Sequence, residues 1–177
     1  MKFSYGISDF ESVITEGYYY CDRTHMIPLI ENSGKSILFL RPRRFGKTFL
    51  LSMLETYYDI KKKDAFDKIF GHLNIGKNPT ELHNQYFVLK FDFSCVDSSG
   101  TVQDIKKSLY DHVNECIKDF VLYYDDYPFK IIQINENNAL SSIKSLLSVV
   151  RNFDNSIFLL IDEYDNFANE LMMSKKS

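Results

Sequence analysis

Between residues 41 and 50 the chain reads RPRRFGKTFL, three arginines and then Gly46, Lys47 and Thr48. Glycine, lysine and a hydroxyl in succession suit an anion rich in oxygen. The glycine lets backbone approach closely, the lysine supplies charge, and the hydroxyl can ligate a divalent cation. The phosphate-loop pattern G-x-x-x-x-G-K-[ST] is met at these three positions, while its first position holds Arg41 instead of glycine. Pro42 restricts Arg41 to extended conformations, so Arg41 continues a preceding strand and makes no glycine turn. Arg43 and Arg44 either face phosphates or lie in solvent. A second acidic group closes SIFLLIDEYD, where an apolar run ends in Asp162 and Glu163.

The two groups gain meaning from what must hold them. SILFL, residues 36 to 40, is a continuous apolar run of strand length and suits a strand buried on both faces of a parallel sheet. From Gly46 onward Phe49, Leu50, Met53, Leu54, Tyr57 and Tyr58 recur at helical spacing. Strand, Gly-Lys-Thr turn and helix form the context a phosphate loop requires. An apolar strand ending in Asp-Glu is the Walker B pattern, and the pairing is more specific than either half. In such a site Lys47 would neutralise the β- and γ-phosphates and Thr48 would ligate Mg²⁺. Asp162 would hold the same ion through water, and Glu163 would orient and polarise the attacking water. Taken separately, Lys47 and Thr48 also fit an ordinary first helical turn, and Asp162-Glu163 an ordinary polar strand end.

The remaining pattern is that of a single α/β domain over residues 1–177. SDFESVITEG predicts a short helix with Ser8 as N-cap, Glu11 completing a capping box and Gly17 ending it. YYYCDRT reads as extended, and HMIPLIENSG as a helical piece closed by Gly34. KKKD, residues 61 to 64, reads as a solvated helix end, and NIGKNPTELHNQ as a loop. YFVLKFDFS alternates Phe87, Leu89, Phe91 and Phe93 onto one strand face. Val102, Ile105, Leu109, Val113, Cys116 and Phe120 mark a long amphipathic helix, and Ala139, Ile143, Leu146, Leu147 and Val150 another. SIFLLIDEYD then supplies a third buried strand.

Composition narrows the function classes. With 45% hydrophobic residues, 25% charged and a net charge of -3, the chain is globular, and its surface is not built as a whole to neutralise nucleic-acid phosphates. Direct nucleic-acid binding is not expected. Cys21, Cys95 and Cys116 form no C-x-x-C pair and read as reduced core thiols of a cytoplasmic protein. His25, His72, His83 and His112 show no metal-ligand spacing. The opening segment carries acids where a signal peptide needs an apolar stretch, and no run approaches a membrane span.

RPRRFGKT after SILFL and before FLLSMLETYY, together with GISDFESVI, YYYCDRTHMIPLIE and FLLIDEYDNFAN, resembles the AAA-ATPase-like domain of bacterial proteins that often carry a PD-(D/E)XK nuclease-like domain further along. The resemblance spans nearly the whole chain, and in that family the arginine-proline start of the loop is the usual form. It implies a P-loop NTPase of the ASCE/AAA type with a three-layer core and a mostly parallel sheet. It also implies an ATP site over Arg43, Arg44, Phe45, Gly46, Lys47, Thr48 and Phe49. Lys47 and Glu163 would be catalytic, with Thr48 and Asp162 on Mg²⁺. Asp22 and Thr24 match the family's Y-x-D-[KR]-T segment, for which a structural role is expected.

Such ATPases set a fourth strand between the phosphate-loop strand and the Walker B strand, and this sequence ends at Ser177, soon after Glu163. The expectation is therefore an incomplete sheet, lacking that strand, its sensor residue, the lid with any arginine finger, and the nuclease-like domain. SILFL and IFLLI would lie either about 10 Å apart or directly paired. Self-association or a partner protein would complete the sheet. ATP hydrolysis is expected of the intact family. The alternatives are a non-hydrolysing nucleotide-binding module and an inactive remnant of a truncated gene; Glu163 favours hydrolysis, and the early end favours the remnant.

Overall fold

The computed structural model describes residues 1–40 and 45–164. The chain divides into two compact units, Met1–Tyr86 and a second beginning at Phe87. The first is helical: α1 (Phe10–Thr15), a 3-10 turn at Thr24–Met26, α2 (Ile27–Asn32), α3 (Lys47–Tyr58), a 3-10 turn at Ile60–Ala65, α4 (Phe66–Phe70) and α5 (Asn74–Lys77). The expected helix after Gly46 is α3. Its Met53, Leu54, Tyr57 and Tyr58 are buried, and with Phe10, Val13, Phe66, Ile69 and Phe70 they form an aromatic-rich core. Tyr57 lies edge-on to Phe70 with ring centroids 5.3 Å apart, and Phe10 stacks on Phe70 at the same separation. Pairs of this kind add about 0.5–1.5 kcal/mol to the burial of the rings.

The first helix begins one residue later than the capping pattern implies. Asp9, in place of Ser8, is the N-cap, and its carboxylate accepts from the Ser12 amide at 2.7 Å. Glu11 joins no capping box and pairs instead with Lys62 at 2.6 Å. Burial of Phe10 and Val13 sets the register, and a cap must then fall where that register puts it. The 61–64 run forms part of the 3-10 turn, with Lys61, Lys63 and Asp64 exposed.

β1 (Tyr86–Asp92) leads into the second unit, which contains α6 (Val102–Tyr123), α7 (Ala139–Val150) and β2 (Ser156–Asp162), as the sequence pattern predicts. Thr101 and Asp104 close a capping box at the start of α6. β1 and β2 pair in a small parallel two-stranded sheet, the helical crossover between them being what a parallel pair requires. Phe87, fully buried, is the hub of this core: the rings of Tyr124, Phe129, Phe120 and Phe153 approach it edge-on with centroids 5.0–6.3 Å away.

Besides the cap of α1, further expectations need correction, and the first four residues of the expected loop NIGKNPTELHNQ are α5. Residues 37–40 of the SILFL run belong to no strand, and the run is exposed, Leu40 at 73%. A strand takes its backbone hydrogen bonds from a neighbour, and the sheet among the described residues pairs β1 with β2 only. β2 is likewise not buried on both faces: Leu160 and Asp162 are covered, but Leu159 is 50% exposed. Finally, all three cysteines are free thiols, yet Cys21 and Cys95 are exposed and Cys116 is half-buried. Among the described residues no helix is long and apolar enough to cross a membrane.

Candidate functional site

The start of α3 is shaped by Gly46. Its backbone is left-handed, φ 73° and ψ 28°, a region that side chains rarely adopt. The glycine answers a conformational need and not a spatial one, since among the described residues an added Cβ would meet nothing within 4 Å. Gly46 is also the N-cap, and it has no side-chain oxygen to offer. It therefore makes no side-chain capping bond, and no acidic residue stands in the first turn. The positive end of a helix dipole, with no acid beside it, favours an anion. Lys47 and Thr48 come next, both half-buried, and Phe45 before them is 62% exposed. The structure thus brings Phe45, Gly46, Lys47, Thr48 and Phe49 together at one helix end. Arg43 and Arg44 lie outside the described residues.

The acidic half stands at the end of β2 in the second unit. Asp162 is 4% exposed, and its carboxylate accepts from the Glu163 amide at 3.0 Å. A buried carboxylate is costly unless donors or a cation offset its lost hydration. Glu163 is half-buried with φ 53°, one of two non-glycine residues with positive φ among those described. Hydroxyl and carboxylate oxygens, as Thr48 and Asp162 each carry in their own unit, are of the type that suits Mg²⁺. No group of three His, Cys, Asp or Glu side chains gathers among the described residues as a self-sufficient metal centre.

Asp22 and Thr24 act on their own unit. The Asp22 carboxylate accepts from the Thr24 amide at 2.8 Å, the Thr24 hydroxyl at 2.7 Å and the Asn74 amide at 2.7 Å. Thr24 Oγ1 in turn accepts from the Ile75 amide at 3.1 Å. These side chains therefore hold the start of α5, the structural role expected for them. Another contact between chemically capable groups, Cys116 Sγ to His112 Nε2 at 3.6 Å, is chemically quiet. Burial pushes the thiol up to about 11 and lowers the imidazole, so neither is charged at neutral pH.

Sequence reasoning missed the packing that anchors α3. Ser52, on its second turn, accepts from the Phe10 amide at 2.9 Å, a buried bond that ties α1 to the helix. Phe49 meets Phe10 and Tyr20 at ring separations of 5.6 and 5.8 Å. The many apolar positions were a signal of a core, but their long-range partners could not be read from spacing.

No curated protein and no solved structure matches the chain. A family model described as predicted AAA-ATPase matches residues 4–177. With Gly46, Lys47 and Thr48 opening α3 and Asp162 ending β2, this match covers nearly the full sequence, and the chain belongs to the predicted AAA-ATPase family.

Proposed function

We propose that the chain binds Mg-ATP at Gly46, Lys47 and Thr48, and that Asp162 and Glu163 serve its hydrolysis. The observation that carries this reading is the opening of α3: a left-handed glycine as its N-cap and no acid in the first turn. A lysine and a threonine come directly after. Lys47 stabilises charge on the β- and γ-phosphates, while Thr48 and Asp162 hold Mg²⁺, which supplies further neutralisation of phosphate charge. Glu163 orients the attacking water and withdraws its proton. Arg43, Arg44, Phe45 and Phe49 flank the nucleotide. The reading implies a P-loop NTPase core of the AAA type in a bacterial cytoplasm, and it includes no direct contact with nucleic acid.

Hydrolysis is preferred to binding without turnover because of Glu163, a carboxylate in an unfavourable backbone conformation beside the Asp162 site. Strained residues concentrate where function holds them in place. Calorimetry with Mg-ATP tests the reading. Lys47→Ala is expected to weaken binding at least about tenfold, or about 1.4 kcal/mol, the scale of one charge-assisted phosphate contact. Equal affinities for the two proteins would overturn it.

A further inference from the structure

Phe49 sits next to Thr48 in the chain and lies in the first turn of α3, half-buried beside the half-buried Tyr20. Their rings are 5.8 Å apart and tilted by 47°. Behind them Phe10 is fully buried, edge-on to both, with centroids 5.6 Å from Phe49 and 5.4 Å from Tyr20. Phe10 cannot shift easily, because its amide donates to Ser52 Oγ and its ring stacks on Phe70. Tyr20 is held as well. Its hydroxyl accepts from the Arg23 amide at 3.3 Å and donates to Met53 Sδ at 3.6 Å. The result is a fixed pair of aromatic rings, each retaining some outward surface, adjoining the residues proposed to hold phosphate.

We infer that Tyr20 and Phe49 form the nucleobase platform of this site, accepting a purine by stacking while leaving its hydrogen-bonding edge unread. The inference rests on the phosphate-binding reading of Gly46–Thr48. A nucleotide anchored by its phosphates at the helix start leaves its base free to lie along the first turn, where aromatic surface is available. Stacking favours the larger purine ring and is tolerant of base identity, because every base has a π-face. The Tyr20 hydroxyl is already engaged, so this pair supplies no group to separate adenine from guanine.

Calorimetry on the full chain with Mg²⁺ and ATP, GTP, CTP or inorganic tripolyphosphate tests this. ATP and GTP should bind within about threefold of each other, and each about tenfold more tightly than tripolyphosphate, with CTP between, since one stacked base contributes on the order of a tenfold gain. Phe49→Leu, which keeps an apolar side chain but removes the π-face, should bring ATP binding about tenfold closer to tripolyphosphate and leave tripolyphosphate binding unchanged. Retained tripolyphosphate binding also reports that the variant is folded. If tripolyphosphate binds as tightly as ATP, or if Phe49→Leu weakens both equally, the platform is wrong and the phosphate site stands. Strong preference of ATP over GTP would overturn the unread edge. Failure of tripolyphosphate and all three nucleotides to bind would remove both the platform and the phosphate reading.

Discussion

Glu163 and Asn84 share a positive φ, 53° and 52°, but not its cost. Asparagine enters the left-handed region with relative ease, whereas a glutamate has no such local compensation and loses about 1–2 kcal/mol there. Relief of that strain and loss of the carboxylate should therefore separate stability from chemistry. Glu163→Gly is expected to raise the stability against urea by about 1 kcal/mol. Glu163→Gln, which keeps the shape, should spare Mg-ATP binding and remove phosphate release in a turnover assay. A stability gain in Glu163→Gly with unchanged turnover would assign the strain but not the catalytic role. The place of Glu163 just after a strand was legible in the sequence from the apolar run before it. Its φ was not, because a backbone angle at a strand end is set by tertiary packing and not by local propensity.

At the scale of elements, the start of α5 depends on two side chains from a distant segment. Asp22 takes three hydrogen bonds from Thr24 and Asn74, and Thr24 takes one from Ile75. Asp22→Ala leaves those donors without their acceptor and is expected to cost about 2 kcal/mol in urea melts, with Asp22→Asn costing less. Burial alone would raise the Asp22 carboxyl, but bonds from Thr24 and Asn74 outweigh it and hold it below the ordinary value. Asp9 is lowered in the same manner by Ser12 and Ser52. A depressed folded pKa contributes stability above the unfolded carboxylate value near 4 and loses it as pH falls through the lower folded value. Acid melts between about pH 5 and 2 should show this loss, reduced in Asp22→Asn. The elements α3, α6, α7 and β1 were legible because their apolar residues repeat at helical or strand spacing, and β2 because a short apolar run of strand length ends in acids. The cap of α1 is misplaced by one residue in the sequence pattern because Ser8 and Asp9 are both good caps and only packing of Phe10 decides between them.

At the scale of the whole molecule, a continuous apolar run announces burial without saying against what. SILFL reads as an interior strand, yet Ile37, Leu38, Phe39 and Leu40 are all exposed, and Leu159 and Ile161 of β2 are exposed too. Such surface seeks cover, and a net charge of -3 offers little electrostatic repulsion between copies. The chain is therefore expected to self-associate. Sedimentation velocity should give a mass that rises with concentration over roughly 1–100 μM, the range in which modest apolar contacts act. The double variant Leu38→Glu, Leu40→Glu places two charges on the most exposed part of the run and should shift association to higher concentration by about tenfold or more. Folding should be unaffected, because these side chains contribute no core burial. An unchanged association in that variant would move the contact to β2, where Leu159→Glu is the corresponding test, and a chain of 20.8 kDa at every concentration would dismiss self-association outright.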